Sequence, residues 1–109
     1  LKFKYEKKIF NYLNRIDKLY KYSKKINSKP IFITNVGSKG FDESLFILNY
    51  SLTNHCVKKN YICVDLAKKI IPKINYWYDP EHTTKKGSKM IANYLFDDLK
   101  KFLSKKNNN

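Results

Sequence analysis

Apolar residues recur every three or four positions along the first part of the chain, and lysines fill most of the positions between them. The repeat consists of Ile9, Leu13, Ile16 and Tyr20, with Tyr12 and Leu19 beside it. This period is typical of an α-helix with one buried face. The pattern predicts a helix over residues 3–26. The helix ends before Pro30, because the residue that precedes a proline avoids helical backbone angles.

Two short runs further along are almost wholly apolar and rich in β-branched residues. They read Ile-Phe-Ile-Thr at 31–34 and Tyr-Ile-Cys-Val-Asp at 61–65. This composition predicts two strands that are buried on both faces. A helical stripe between them predicts a helix over 43–59, with Asp42 as its N-terminal cap and Asn60 ending it in the left-handed conformation. Strand, helix and strand in this order predict a right-handed βαβ unit with adjacent, parallel strands.

The last part of the chain returns to a helical pattern after a less regular stretch. A helix is predicted over residues 84–103, and its apolar face consists of Ile91, Leu95, Leu99 and Phe102, with Met90 and Leu103 beside it. The resulting helix-strand-helix-strand-helix order has only two strands, which make a poor free-standing sheet. We therefore expect residues 1–104 to be the C-terminal part of a larger α/β domain, whose other strands precede Leu1. Residues 105–109 are predicted to be a polar, disordered tail.

The formal net charge of +14 invites a nucleic-acid or anionic-membrane partner. However, nucleic-acid readers favour the bidentate contacts of arginine, and Arg15 is the only arginine. Lysine, asparagine, isoleucine and tyrosine are all heavily used, as in proteins encoded by AT-rich genomes. We attribute the charge to this bias and expect no nucleic-acid partner. No apolar run approaches the ~18 residues of a membrane span, so none is expected.

Three other kinds of side chain qualify as candidates for chemistry. Cys56 and Cys63 have neither the spacing of a disulfide framework nor that of a metal site, and they are predicted to be small buried apolar residues. His55 is predicted to pack or to face solvent rather than to bind a ligand. Asp65, at the end of a predicted strand, either lines a site or caps the following turn.

The stretch Asp79-Pro80-Glu81-His82 carries the most specific chemical signal. A histidine acts as a general base when a carboxylate on one ring nitrogen fixes its tautomer and orientation. The spacing lets the Asp79 carboxylate reach His82 within one turn, which proline stiffens. Thr83 or Thr84 is predicted to cap the helix that follows. Gly87 weakens that helix by about 1 kcal/mol relative to alanine, which indicates a close packing contact at this position.

Residues 79–84 with Gly87 resemble the last conserved block of the SGNH (GDSL-type) serine hydrolases, an Asp-x-x-His followed by a helix with an early glycine. The resemblance extends from the first helix to Leu103. It implies a three-layer α/β/α, flavodoxin-like fold with a parallel sheet, of which this chain holds the C-terminal part. It also implies ester hydrolysis, or acyl or acetyl transfer, on an acylated small molecule or carbohydrate, without a metal or organic cofactor. In this family His82 would be the catalytic base and Asp79 would orient it.

The chain departs from the family in its other catalytic motifs. It has no Gly-Asp-Ser nucleophile motif and neither of the two blocks that supply oxyanion donors, and Asn35 and Gly37 follow the wrong strand to replace them. No serine has a matching context, so none is assigned as the nucleophile: Ser23, Ser28, Ser38, Ser44, Ser51, Ser88 and Ser104. The 109 residues alone are therefore expected to be inactive. The alternatives are a small basic nucleic-acid-binding protein and a non-catalytic α/β module.

Overall fold

Helices dominate the chain, and a single small sheet lies among them. The computed structural model describes residues 2–37, 42–70, 76–77 and 82–107. The elements, in chain order, are α1 (Lys2–Lys25), β1 (Ile31–Ile33), α2 (Glu43–Lys59), β2 (Ile62–Val64), α3 (Leu66–Lys69) and α4 (Lys85–Asn107). The short helix α3 was not predicted, and α4 continues beyond its predicted end at Leu103. None of the described helices combines the length and the apolar character needed to cross a membrane.

The prediction of a three-layer α/β/α, flavodoxin-like fold is wrong. Helices hold 73 % of the described residues, whose sheet consists of two strands of three residues each. Apolar, β-branched runs identify strands, but they do not determine how many strands a sheet contains.

The predicted pairing of the two strands is confirmed. β1 and β2 are adjacent and parallel, with Ile31 opposite Ile62 and Ile33 opposite Val64. The connecting helix α2 has the caps that its sequence indicates. The Asp42 carboxylate accepts a hydrogen bond from the Leu45 N–H at 3.1 Å, and Asn60 has left-handed backbone angles.

The first core cluster joins α1 and α2 to one face of the sheet. Ile16, Leu52 and Cys56 are its buried members, and Phe32 of β1 packs against them. Cys56 forms a disulfide with Cys63 of β2, across a Cα–Cα distance of 6.2 Å. The prediction that these cysteines act only as small apolar residues is therefore wrong. The tight turn at the end of α2 returns the chain beside the last helical turn, which brings the two sulfurs together.

A polar cluster ties α1 to α2 and to the start of β2. The Asp17 carboxylate accepts hydrogen bonds from the His55 ring and from the Tyr61 hydroxyl, each at 2.7 Å. The Tyr20 ring stacks on Tyr61, with ring centroids 4.1 Å apart. Burial alone would raise the pKa of Asp17, but the hydrogen bonds from His55 and Tyr61 outweigh it and hold that pKa below its ordinary value. Burial and the hydrogen bond to Asp17 raise the pKa of Tyr61 to about 12.

We expect Asp17→Asn to lower the free energy of unfolding at neutral pH by about 1–3 kcal/mol, because the charged acceptor of two partners is lost. A carboxyl whose pKa is depressed by folding stabilises the folded state above its unfolded pKa. That contribution is lost as the pH falls from the ordinary value of 3.8 through the lower folded-state pKa. Urea unfolding at several pH values should therefore show a flatter acid limb in the variant. The exposed Asp97→Asn is the control, and an acid limb identical to that of wild type in Asp17→Asn would contradict the assignment.

Candidate functional site

Side chains at the carboxyl ends of the two strands hold each other in place. The Thr34 hydroxyl donates to the Asp65 carboxylate at 3.0 Å and accepts from the Ala67 N–H at 2.9 Å. Thr34 is buried, so these bonds lie in a partly dry environment and link the end of β1 to the start of α3. Asp65 makes no side-chain capping bond to α3. Of the two roles left open for Asp65, capping the next turn is therefore excluded.

Trp77 precedes the loop that contains His82 and places the start of that loop at the edge of the sheet where the two strands end. Its side chain is 6 % exposed and belongs to a second core cluster with Leu66 and Ile70, against which Val36 packs. Leu66 and Val36 each lie just beyond the carboxyl end of a strand. Trp77 also forms an antiparallel bridge with Thr83, so the two ends of the loop are held side by side. Within the described part of the chain, the buried Trp77 Nε1 has no hydrogen-bond partner.

The start of α4 is fixed on the chain that enters the loop. The Thr84 hydroxyl accepts from the Gly87 N–H at 3.1 Å, which is the N-cap geometry predicted for Thr83 or Thr84. The Thr84 N–H donates to the Tyr76 carbonyl at 2.8 Å. A Cβ on Gly87 would lie 2.1 Å from that same carbonyl oxygen. The close contact predicted for Gly87 is therefore confirmed, and Tyr76 is the residue it meets.

The Trp77–Thr83 bridge, the Thr84 cap and the Gly87–Tyr76 contact form a frame around the loop. His82 is exposed and lies next to this frame. Its neighbour Thr83 is held on both sides, by the bridge to Trp77 and by a contact of 2.6 Å between the hydroxyls of Thr83 and Ser88. Asp79, the other predicted catalytic residue, lies outside the described residues, and its pairing with His82 stays a prediction. The frame can hold an imidazole at the edge where the strands end, which is where sites form in parallel sheets.

Two features of the molecule were missed by sequence reasoning. His55 packs, as predicted, but its hydrogen bond to Asp17 was not predicted. The sequence signal for a buried partner was that the charged Asp17 directly follows the core residue Ile16. Apart from the presence of two cysteines, nothing in the sequence indicates the disulfide. The described residues contain no group of three or more His, Cys, Asp or Glu side chains that could hold a metal ion.

Comparison with known proteins gives no relative for this chain. No protein-family model matches the sequence, and neither a curated protein nor a solved structure matches it.

Proposed function

We propose that this chain supplies the acid–base element of an SGNH-type hydrolase, which catalyses ester hydrolysis or acyl or acetyl transfer. His82 is the general base in this proposal, and Asp79 orients it. The proposal requires a serine nucleophile and oxyanion donors from another segment, because no motif within the 109 residues matches them. The substrate class is an acylated small molecule or carbohydrate.

The observation that carries the proposal is the rigid frame around the loop. An ordinary surface turn does not require a β-bridge between its ends or a buried tryptophan at its start. It also does not require a glycine that allows the next helix to contact a backbone carbonyl. Here the Trp77–Thr83 bridge, the Thr84 cap and the Gly87–Tyr76 contact all act on the few residues around His82. Catalytic histidines require such a frame, because small displacements from productive geometry cost large factors in rate.

The chemistry assigned to His82 follows from its two ring nitrogens. With Nδ1–H donated to the Asp79 carboxylate, Nε2 takes the proton of the serine hydroxyl while the serine oxygen attacks the ester carbonyl. The protonated ring then donates that proton to the leaving alcohol, and an acyl-serine remains on the enzyme. Water, or an acceptor alcohol in the transfer reaction, attacks the acyl-serine with His82 again as the base.

The tautomer of His82 tests this proposal on the chain itself. We expect nitrogen-15 NMR of the neutral His82 ring to show the Nδ1–H tautomer, since a carboxylate acceptor selects the nitrogen that carries the proton. Asp79→Asn should remove this preference. Lys89→Ala, at an exposed position of α4, is the control and should leave the tautomer unchanged. An Nε2–H tautomer in the wild-type chain would refute the assigned roles of Asp79 and His82.

The 109 residues alone are expected to hydrolyse p-nitrophenyl acetate no faster than buffer containing a matched amount of free histidine. A base without an oxyanion hole and a nucleophile lacks most of the catalytic power, since a single oxyanion donor contributes about 10²–10³-fold. The measurement is the release of p-nitrophenolate. Turnover that His82→Ala abolishes would reveal a nucleophile within this chain.

A further inference from the structure

A cavity of about 430 Å³ lies outside the carboxyl end of β2. Helix α2 forms one wall of this cavity, and the opposite wall consists of Asp65, Ala67 and Lys68, where β2 passes into α3. Sites for small molecules have volumes of about 300–1,000 Å³ and combine an apolar surface with a few placed polar groups. In open sheets of parallel strands they form in the crevice at the carboxyl ends of the strands. The cavity therefore has the size and the position of a small-molecule site.

The α2 wall of the cavity presents two aromatic rings. Phe46 and Tyr50 are one helical turn apart, and their rings stack with centroids 6.2 Å apart and 18° between the ring planes. Asn49 lies between them in the sequence. It exchanges two hydrogen bonds with the backbone of Asn35, at 3.1 and 2.8 Å, which hold this part of α2 against the chain that follows β1. The two rings therefore form a fixed surface for a flat apolar group.

The opposite wall carries one negative and one positive charge. The Asp65 Oδ1 atom accepts from the hydroxyl of the buried Thr34 at 3.0 Å, so the carboxylate is held in place. Within the described part of the chain, its other oxygen, Oδ2, makes no hydrogen bond. Lys68 follows three residues later, a spacing that makes side chains neighbours on a helix. Asp65 and Lys68 nevertheless form no ion pair with each other, so each charge is available to a ligand.

We propose that this cavity binds a free α-amino acid with an aromatic side chain. Such a molecule carries an ammonium and a carboxylate on one carbon atom, so it can bridge two neighbouring charges of opposite sign. The ammonium binds Asp65 Oδ2, and the carboxylate binds Lys68 and the amide of the exposed Asn54. The aromatic side chain lies on the rings of Phe46 and Tyr50. The site does not depend on the proposed hydrolase function.

The two opposite charges select a zwitterion over other small ligands. A ligand with only a carboxylate would bring it close to Asp65, and a ligand with only an ammonium would bring it close to Lys68. In both cases like charges repel, and such repulsion is one source of specificity. An uncharged ligand would cover both charges without compensating either of them. Only a ligand with both charges compensates both side chains.

L-phenylalanine is the probe for this cavity, and NMR of the backbone amides of the full chain follows its binding. We expect saturable shift changes within residues 46–54 and 65–68, which include the lining of the cavity. N-acetyl-L-phenylalanine lacks the ammonium, and L-phenylalaninamide lacks the carboxylate. Each of these analogues is expected to bind at least about tenfold more weakly, because one charged hydrogen bond is lost. L-alanine, which has no ring, should also bind more weakly than L-phenylalanine.

Two variants assign each charge of the ligand to its partner. Asp65→Asn keeps an oxygen that accepts the Thr34 hydroxyl, so the strand ends stay joined. It should weaken phenylalanine binding by about tenfold and should no longer distinguish phenylalanine from its N-acetyl analogue. Lys68→Met, at an exposed position, should no longer distinguish phenylalanine from its amide. Asp97→Asn and Lys100→Met make the same chemical changes at exposed positions of α4 outside the cavity, and these matched controls should keep wild-type affinity.

Several results would overturn the proposal. The first is the absence of saturable shift changes with phenylalanine up to its limit of solubility. Equal binding of the amide would assign the cavity to an amine, and equal binding of the N-acetyl analogue would assign it to a carboxylate; both results contradict a zwitterion site. Wild-type affinity for phenylalanine in both Asp65→Asn and Lys68→Met would place the amino acid elsewhere on the molecule.

Discussion

In the complete enzyme that the proposed function requires, His82→Ala is expected to lower kcat for ester hydrolysis by about 10⁴–10⁶-fold, in line with the loss of a triad histidine. The base removes the serine proton and later protonates the leaving alcohol, so both steps lose their catalyst. Asp79→Asn should cost as much or less, about 10⁴-fold, since it disturbs the tautomer and leaves the ring in place. Steady-state kinetics with p-nitrophenyl acetate measure both effects.

The double variant distinguishes a catalytic unit from two separate contributions. If Asp79 acts only through His82, the double variant should be about as slow as His82→Ala alone. Lys89→Ala serves as the control on α4 and should keep wild-type kinetics. Multiplicative losses in the double variant, or a His82→Ala variant with wild-type rate, would show that the two residues do not form an Asp–His pair.

Gly87→Ala is expected to destabilise the protein by about 3 kcal/mol, at the upper end of the usual cost of overpacking. The added methyl group would lie 2.1 Å from the Tyr76 carbonyl oxygen, and a backbone atom cannot move aside as a flexible side chain can. In a helix without such a contact, a glycine-to-alanine change would stabilise the protein by about 1 kcal/mol. The sign of the change in unfolding free energy therefore shows whether Gly87 lies against the Tyr76 carbonyl. Urea unfolding measures the difference in free energy.

Gly37→Ala is a matched control for that experiment. Among the described residues, a Cβ at Gly37 would meet the Leu45 Cδ2 atom, at an ordinary 3.5 Å. Its expected effect is small, or a slight stabilisation from the stiffer unfolded chain, about 0.4–1 kcal/mol. If Gly87→Ala proves as stable as Gly37→Ala, α4 does not sit on Tyr76 and the loop lacks the frame described above.

Local chemistry made several parts of the fold predictable. Asp42 and Asn60 have side chains that suit helix ends, and both residues are found there. The parallel pairing followed from two apolar runs joined by one helix. Sheet width was not predictable in this way, because a strand's composition shows that it is buried but not what buries it. The Asp17–His55 bond joins residues 38 positions apart, and no local pattern encodes such a distance.

The candidate site was likewise predictable only in part. Gly87 was predicted to make a close contact because glycine is unfavourable in a helix, and the contact exists. The identity of its partner, Tyr76, depends on how the chain enters the loop, which no periodic pattern describes. The Trp77–Thr83 bridge was likewise not predicted. The pairing of His82 with Asp79 remains a prediction, which the tautomer measurement addresses directly.

The parallel pairing of β1 with β2 also has a consequence for the order of folding events. Thr34 and Asp65, which join the strand ends, are separated by 31 positions in the chain. Closing a loop of that length in an unstructured chain costs entropy before any strand contact forms. Helix α2 occupies most of that loop, and its formation shortens and orders the path between the strands. We therefore expect the sheet to form on a helix that is already present, so that the speed of folding depends on how readily residues Glu43–Lys59 become helical.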